Sequence, residues 1–177
     1  MRIVGGKYKG RFFKPDKKFK ARPTTDLAKE ALFNILSNQI EFPGMKVLDL
    51  FSGSGRIGYE FLSRGAEEVT FIEKSYPHVR FIKDVIRQLG VENGRVFRTD
   101  VFRFLKNGTG TYNIIFADPP FDSKQITGIP TAVMDSGLLQ KNGLFILEHS
   151  SDYNFSEQTG FRELRKYGKV NFSFFSP

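Results

Sequence analysis

The sequence predicts an α/β fold in which a mostly parallel sheet is covered by helices on both faces. From residue 46 onward, short apolar runs typical of buried strands alternate with stretches of helical character. The apolar runs cover residues 47–50, 69–72, 96–97, 114–116 and 144–147. Two further runs at the C-terminus, joined by Gly168 and Lys169, predict a β-hairpin that closes one edge of the sheet.

Helices are predicted at residues 57–63, 78–89 and 126–139, between these strands. An earlier helix begins at a Thr25 or Asp26 cap and is predicted to run to Pro43–Gly44. Before it, two short β-like runs around residues 2–4 and 11–13 flank several glycines, which predicts a hairpin. We therefore expect a basic N-terminal arm over residues 1–24 and one α/β domain over residues 25–177.

The charge is concentrated at the N-terminus. Residues 1–22 contain nine Lys and Arg side chains, and Asp16 is the only acidic residue among them, so this segment carries the whole net charge of +8. The rest of the chain has equal numbers of acidic and basic residues. Such a segment, with aromatic residues between the charges, indicates a docking arm for nucleic acid. A solubilising tail is the alternative.

Composition excludes several classes of protein. The chain has no Cys, which excludes disulfides, zinc–cysteine sites and a cysteine nucleophile, and its two His leave little material for a metal site. No apolar run has the roughly 20 residues of a membrane span, and no signal-peptide core is present. We expect a soluble cytoplasmic protein that binds no metal and no membrane. Nothing in the sequence indicates an oligomer, so a monomer is expected.

The first predicted strand runs directly into a glycine-rich loop. Gly53, Gly55 and Gly58 have the spacing G-x-G-x-x-G, and Glu73 ends the second strand, 20 residues after Gly53. Such a loop lets the backbone approach a nucleotide closely, and the acid at the second strand accepts hydrogen bonds from ribose hydroxyls. The pattern predicts a site for a nucleoside cofactor at the carboxyl ends of the strands.

Asp49 discriminates between the possible cofactors. A carboxylate four residues before Gly53 repels a pyrophosphate but attracts the cationic amino-acid end of S-adenosylmethionine. Asp100, at the end of the third strand, is placed to accept the adenine amino group. The predicted cofactor-binding residues are Asp49, Phe51, Ser52, Gly53, Gly55, Glu73, Lys74, Asp100 and Val101. NAD, and a glycine turn without a ligand, are the alternatives that the pattern leaves open.

The segment ADPPF, at residues 117–121, follows a buried strand. Prolines offer carbonyl acceptors but no N–H donors, so this segment can accept hydrogen bonds beside the flat ring of Phe121. The Asp118 carboxylate and the Pro119 carbonyl could hold the two hydrogens of an exocyclic amine on an unpaired or flipped nucleobase. We predict Asp118, Pro119, Pro120 and Phe121 as catalytic residues. A plain Asp-Pro turn with a core Phe is the alternative.

These residues carry a resemblance to a known family. Asp-Pro-Pro-Phe, with Asp49 and the glycine loop upstream, resembles the amino-methyltransferase branch of the Rossmann-like methyltransferases. Residues 2–11 (RIVGGKYKGR), 22–26 (RPTTD) and 30–34 (EALFN) resemble the start of the bacterial 16S ribosomal RNA guanine-N2 methyltransferases of the RsmD type. The resemblance implies the class I S-adenosylmethionine-dependent methyltransferase fold, a seven-stranded sheet in the order 3-2-1-4-5-7-6 with one antiparallel strand.

The same resemblance implies methylation of the N2 amine of a guanine in 16S ribosomal RNA, within the small ribosomal subunit. The residues expected to contact RNA are Arg2, Lys7, Lys9, Arg11, Arg22 and Thr24. The chain departs from the family pattern at two places near the expected RNA entrance. The run Leu27-Ala28-Lys29-Glu30 stands where the family usually has Arg-Val-Arg-Glu, so one basic position is missing and one is weakened, and Arg56 stands where it usually has a small residue.

Other functions fit parts of this pattern. A DNA or RNA adenine-N6 methyltransferase also uses Asp-Pro-Pro and an aromatic, but such DNA enzymes usually carry a target-recognition region for which 177 residues leave no room. A protein-glutamine methyltransferase would more commonly have Asn before the two prolines. A non-catalytic RNA-binding protein that keeps the fold is the alternative from a different class, and the presence of Asp49, Glu73 and Asp118 together argues against it.

Overall fold

The structure is a computed structural model that describes residues 1–15, 26–120 and 125–177. The helices are α1 (Asp26–Ser37), α2 (Arg56–Ser63), α3 (Tyr76–Leu89), α4 (Val101–Asn107) and α5 (Ile129–Asp135). The strands are β1 (Lys46–Leu50), β2 (Glu68–Glu73), β3 (Gly94–Arg98), β4 (Tyr112–Ala117), β5 (Leu139–His149), β6 (Phe161–Tyr167) and β7 (Val170–Phe175). None of the helices in these three ranges is long and apolar enough to span a membrane.

All seven strands form one sheet in the order β3-β2-β1-β4-β5-β7-β6. The neighbouring strands β3, β2, β1, β4 and β5 are all parallel, whereas β7 runs antiparallel to both β5 and β6. The predicted strand order and its one antiparallel strand are therefore confirmed. In a parallel sheet the carboxyl ends of neighbouring strands meet at one edge, so the residues that follow β1, β2, β3 and β4 are brought together there.

Two apolar layers cover the sheet. The first lies under α1, α2 and α3 and includes Phe33, Phe61 and Phe71, whereas the second lies under α4 and α5. Gly58 allows α2 to approach the sheet, because a Cβ atom at this position would clash with the ring of Phe71. The third glycine of the loop is therefore required for packing of the helix against the sheet.

Two predicted helix ends were wrong. The helix α1 ends at Ser37, well before Pro43, because the next two amides, of Asn38 and Gln39, donate to carbonyls three residues back instead of four, at 3.1 Å and 2.9 Å. The helix predicted over residues 126–139 is a 3₁₀ turn followed by α5, and β5 begins at Leu139. The left-handed backbone of Gly137 (φ 69°) separates α5 from this strand.

The predicted N-terminal hairpin is present within residues 1–15. Arg2 and Phe12 form an antiparallel bridge, and the Ile3 amide donates to the Arg11 carbonyl at 3.0 Å. Residues 16–25 lie outside the described residues, and with them the predicted RNA contacts Arg22 and Thr24, the Thr25 cap and the boundary between arm and domain.

A buried ion pair fastens this hairpin to the helices. The Lys29 ammonium lies 3.4 Å from Glu60, and both side chains are at most 1% exposed. Lys29 also donates to the Arg2 carbonyl, while Glu60 accepts from the Val4 amide at 3.0 Å and from Arg64 at 3.2 Å. Lys29 therefore connects α1, α2 and the hairpin instead of facing RNA.

We expect Lys29→Met to lower the free energy of unfolding by about 3 kcal/mol, because removal of one partner leaves a buried carboxylate with less compensation. The matched control is Lys46→Met, since Lys46 lies 3.6 Å from Glu67 in a pair that is about half exposed. That variant should lose less than about 1 kcal/mol. Urea denaturation measures both values, and equal losses in the two variants would contradict the fastening role of Lys29.

Candidate active site

The site lies where β1 and β4 end side by side. Leu50 of β1 pairs with Ala117 of β4, so Asp118 begins the loop directly beyond the pair. Asp49, one residue before Leu50, is 2% exposed, and its carboxylate interacts electrostatically with those of Asp118 and Glu73. The register of the two central strands therefore brings together the acids that the sequence predicted for cofactor and target.

The glycine loop folds back over the end of β1. The Ser52 amide donates to the Ile72 carbonyl at 3.0 Å, and the Ser52 hydroxyl donates to the Asp49 carbonyl at 2.6 Å. Gly53 and Gly55 have φ values of 53° and 78°, which other residues rarely adopt. These contacts hold a tight backbone cradle between β1 and α2.

Phe51 is the only non-glycine residue with positive φ (55°) among the described residues. The left-handed backbone is unfavourable for a bulky side chain, and such strain occurs often at ligand sites. Its ring lies 6.4 Å from that of Phe102 in an edge-on arrangement. The strained residue therefore forms an apolar wall beside the loop, together with an aromatic of α4 that the sequence pattern did not single out.

Asp49 is a buried acid with one hydrogen bond from the backbone. Its Oδ2 atom accepts from the Gly58 amide at 3.1 Å. Burial raises the pKa of Asp49 well above its usual range, the charges of Asp118 and Glu73 raise the pKa further, and the Gly58 hydrogen bond opposes both. A bound cation would reverse this effect, so the group is suited to holding an ammonium.

Glu73 ends β2 beside the same loop. Its two carboxylate oxygens accept from the amides of Gly53 at 2.8 Å and Ser75 at 2.7 Å. Burial acts to raise the pKa of Glu73, but hydrogen bonds from His78, Ser75 and Gly53 outweigh it and hold the pKa below its usual value. A carboxylate oxygen can accept more than one hydrogen bond, so an ionised Glu73 can also accept from two vicinal hydroxyls.

Asp100 follows β3 and caps α4. Its side chain accepts from the amides of Phe102 at 3.0 Å and Arg103 at 3.3 Å, and Lys74 lies 3.9 Å away. Val101 is buried next to it. The role of Asp100 toward adenine remains a prediction, since its carboxylate already has a structural role at the start of the helix.

Asp118 lies at the mouth of β4 beside Pro119 and Pro120. Burial of its carboxyl raises the pKa of Asp118 to about 7, while the Arg56 guanidinium acts in the opposite direction. Pro119 is buried and Pro120 is exposed. Phe121 lies outside the described residues, so its stacking role remains a prediction.

Comparison with known proteins identifies the family. The family described as Conserved hypothetical protein 95 matches residues 1–176 of the chain. Ribosomal RNA small subunit methyltransferase D of Escherichia coli strain K12 is 34% identical over 148 residues, which cover 84% of this chain and 74% of that protein. The chain belongs to the family of ribosomal RNA small subunit methyltransferase D. The resemblance found in the sequence is thereby confirmed.

Solved structures share this fold. A hypothetical protein of Thermus thermophilus superposes with a TM-score of 0.87 at 30% identity, covering 100% of this chain and 99% of that chain. SMU.776, in a complex with SAH, superposes with a TM-score of 0.67 at 18% identity and covers 84% of this chain and 49% of its own. The predicted Rossmann-like fold of class I methyltransferases is confirmed.

Arg56, which the sequence analysis singled out as a departure from the family pattern, is largely buried beside the site. Its side chain is 10% exposed, and one guanidinium nitrogen lies 2.9 Å from the Asp26 carboxylate. Burial lowers the pKa of Arg56, and the charges of Asp26, Glu148 and Asp118 oppose this shift. In the sequence, Arg56 is only a departure near the expected RNA entrance, whereas the structure places its charge beside Asp118.

The other expected departure from the family pattern covers two neighbouring residues of α1 with different environments. Leu27 is 76% exposed, whereas Ala28 is 1% exposed and faces the core. Only one of the two positions therefore faces solvent.

The N-terminal arm begins beside the glycine loop and carries exposed cations. The hydroxyl of Ser54 contacts the Met1 sulfur at 3.6 Å, and Arg2, Lys7, Lys9 and Arg11 are exposed. The Lys7 amide donates to the Ser63 carbonyl at 2.7 Å, and the Arg11 guanidinium donates to the Gln88 carbonyl at 3.0 Å, so these two predicted RNA contacts lie near the C-terminal ends of α2 and α3. The contact with the glycine loop is made by the first residue of the arm.

The two histidines have structural contacts. His149 contacts the Ser173 hydroxyl at 2.8 Å and the Ser150 carbonyl at 2.7 Å, and burial lowers its pKa. His78 belongs to α3, and its Nδ1 atom lies 3.7 Å from a carboxylate oxygen of Glu73. Within residues 1–15, 26–120 and 125–177, no three His, Asp or Glu side chains are grouped in a way that could hold a metal ion.

Proposed function

We propose that this protein transfers a methyl group from S-adenosylmethionine to the exocyclic N2 amine of a guanine in 16S ribosomal RNA, within the small ribosomal subunit. The observation that carries the proposal is the position of Asp118 and Pro119 directly beyond the β1–β4 pair, beside the buried Asp49. The names of the relatives, which specify small-subunit ribosomal RNA, support the substrate class.

S-adenosylmethionine is the cofactor, and when bound it supplies an electrophilic methyl group. Asp49 would hold its ammonium, and Glu73 would accept hydrogen bonds from its ribose hydroxyls. Phe51 and Val101 would flank the adenine, with Asp100 and Lys74 at the rim. The loop residues Ser52, Gly53 and Gly55 would form the cradle. The residues present fit this group, since Asp49 is a buried acid whose pKa is raised and whose carboxylate accepts a hydrogen bond from the Gly58 amide.

Asp118 and Pro119 act on the target amine. The lone pair of an exocyclic amine is delocalised into the ring, so the amine is a poor nucleophile. The ionised Asp118 carboxylate and the Pro119 carbonyl accept its two hydrogens, which favours a pyramidal nitrogen with its lone pair aimed at the methyl group. Once the nitrogen has become cationic, it loses one proton, which Asp118 can accept and pass to solvent.

Phe121 and Pro120 complete this site in the proposal. Stacking of the guanine on the Phe121 ring would contribute about 1–3 kcal/mol and would hold the base in the plane required for in-line transfer. The guanine must be unpaired or flipped out for its N2 amine to reach Asp118.

The rate of transfer should depend on pH through Asp118. Its pKa is raised to about 7, and only the ionised carboxylate accepts both the hydrogen bond and the proton. The rate should therefore be constant above about pH 8 and fall about tenfold for each pH unit below about 6. Single-turnover rates with saturating cofactor measure the profile. An acidic limb centred near about pH 4, the ordinary range of a carboxyl, would contradict the assignment.

The N-terminal arm should contribute to RNA affinity through its charge. Replacing Lys7, Lys9 and Arg11 by Gln removes three exposed cations and should reduce the dependence of log K on log[salt] by about 2. Fluorescence anisotropy with a labelled RNA fragment over a salt series measures this slope. An unaltered slope would contradict a contact between these cations and RNA and would leave the arm a structural role alone.

The proposed function is tested by supplying labelled S-adenosylmethionine with four acceptors: small ribosomal subunits from cells that lack this gene, naked ribosomal RNA, tRNA and DNA. Digestion then identifies the labelled nucleoside. We expect N2-methylguanosine from the subunits. Label in N6-methyladenosine or in DNA would keep the chemistry of Asp118 and overturn the substrate.

A further inference from the structure

A groove outside the proposed methyl-transfer site lies between β3 and α4. Its floor is the face of the sheet formed by Glu68 and Thr70 of β2 and by Arg95 and Phe97 of β3. Its wall is α4, through Arg103, Phe104 and Asn107, and the loop at residues 108–111 closes one end. The groove has a volume of about 690 Å³, which is within the usual range for a bound ligand. We call it the β3–α4 groove.

The β3–α4 groove and the N-terminal arm lie on opposite faces of the sheet. The arm is hydrogen-bonded to α2 and α3, through Ser63 and the Gln88 carbonyl. The groove lies under α4, on the side to which Thr70 points, and the Tyr112 hydroxyl contacts Thr70 there at 3.4 Å. A ligand in this groove would therefore be bound independently of the arm.

The short length of α4 leaves an aromatic side chain open to solvent. This helix has seven residues, and β3 is an edge strand in which Arg95, Phe97 and Arg98 are exposed. Phe97 is 46% exposed, and its ring is supported by Phe104 at a centroid distance of 5.8 Å. A supported aromatic ring with an open face provides a platform on which a nucleobase can stack.

The charge of the β3–α4 groove is positive. The residues that line it include Lys46, Arg95, Arg98 and Arg103, against the single acid Glu68. Glu68 lies 2.9 Å from Arg95, and no carboxylate in the described ranges lies within ion-pair distance of Arg103. Cations and an aromatic ring in one groove match the phosphates and bases of a nucleic acid strand.

We propose that the β3–α4 groove binds an unpaired segment of the substrate RNA, with a base against Phe97 and phosphates at Arg95 and Arg103. This rests on the proposed function in one respect, namely that RNA is the substrate. Thr99, which lines the groove, directly precedes Asp100 at the edge of the sheet that carries the active site. One end of the groove therefore lies near that edge.

The charge contribution is tested with Arg95→Gln/Arg103→Gln. Binding of a 16S RNA fragment is measured by fluorescence anisotropy over a salt series. We expect affinity to fall about tenfold at physiological salt and the slope of log K against log[salt] to decrease by about 1.4, the value for two phosphates of a single strand. The matched control is Lys166→Gln/Lys169→Gln, which removes two exposed cations near β6, at the opposite edge of the sheet. The control should bind as the wild type does.

The stacking contribution is tested with Phe97→Ala, which should weaken binding about fivefold or more. Phe97→Leu keeps an apolar contact with Phe104 and should lose a similar affinity without loss of thermal stability. A wild-type salt slope in the double Arg variant, together with unchanged affinity in Phe97→Leu, would overturn the proposal. If the wild type methylates RNA and these variants bind normally, only the groove assignment fails. If the variants lose affinity but no guanine is methylated, only the proposed function fails.

Discussion

Asp118→Asn should reduce the single-turnover rate of methyl transfer by about 10²–10³-fold, while the Kd for S-adenosylmethionine stays nearly unchanged. The amide has nearly the same shape as the carboxylate, but it carries no charge and cannot accept the proton. It can also present an N–H group toward the target amine, where only acceptors are useful. Quenched-flow transfer to small ribosomal subunits and calorimetric titration with the cofactor measure the two quantities.

The matched control for this variant is Asp135→Asn, at the exposed C-terminal end of α5. It removes the same charge far from the β1–β4 edge and should leave both the rate and the cofactor affinity unaltered. Equal losses of rate and cofactor affinity in Asp118→Asn would refute the assigned role, because Asp118 would then belong to the cofactor site. The residual rate of the variant should also lose the acidic limb near pH 7 that the raised pKa of Asp118 predicts for the wild type.

Asp49→Asn should weaken cofactor binding by about 1.5–3 kcal/mol, or roughly 10- to 150-fold in Kd. Asp49 is buried, and burial raises its pKa, so a cofactor ammonium would stabilise the ionised form that burial disfavours. The Asn carbonyl can still accept from the Gly58 amide, so the glycine loop should keep its structure. Isothermal titration with S-adenosylmethionine and, separately, with NAD measures the change.

The titration with NAD tests the electrostatic role that we assign to the Asp49 carboxylate. Without the carboxylate, repulsion of a pyrophosphate disappears, so Asp49→Asn should not bind NAD less well than the wild type does. Glu67→Gln, an exposed acid before β2, is the control for general loss of negative charge. Unchanged affinity for S-adenosylmethionine in Asp49→Asn would contradict the role assigned to Asp49 in holding the cofactor ammonium.

The acids of the site were predictable because each follows a local signal. Asp49 and Glu73 end strands that can be recognised as apolar runs, and Asp118 begins a turn that the two prolines mark. The carboxyl ends of parallel strands share one edge of the sheet, so their proximity follows once the strands are assigned. The ends of α1 and α5 were less predictable, since a tight turn after Ser37 and the left-handed backbone of Gly137 end these helices where apolar periodicity continues.

The sequence by itself therefore determined the α/β class, the glycine loop proposed for the cofactor and the acids at the strand ends, since all of these depend on residues close together in the chain. Only the tertiary structure decided that Lys29 is buried against Glu60, that Arg56 lies beside Asp118, and that β3 and α4 leave a basic groove open. The physical reason is that a basic residue has the same local pattern whether it pairs with a buried acid or faces RNA. Its environment is set by packing between helices and strands that are distant in sequence.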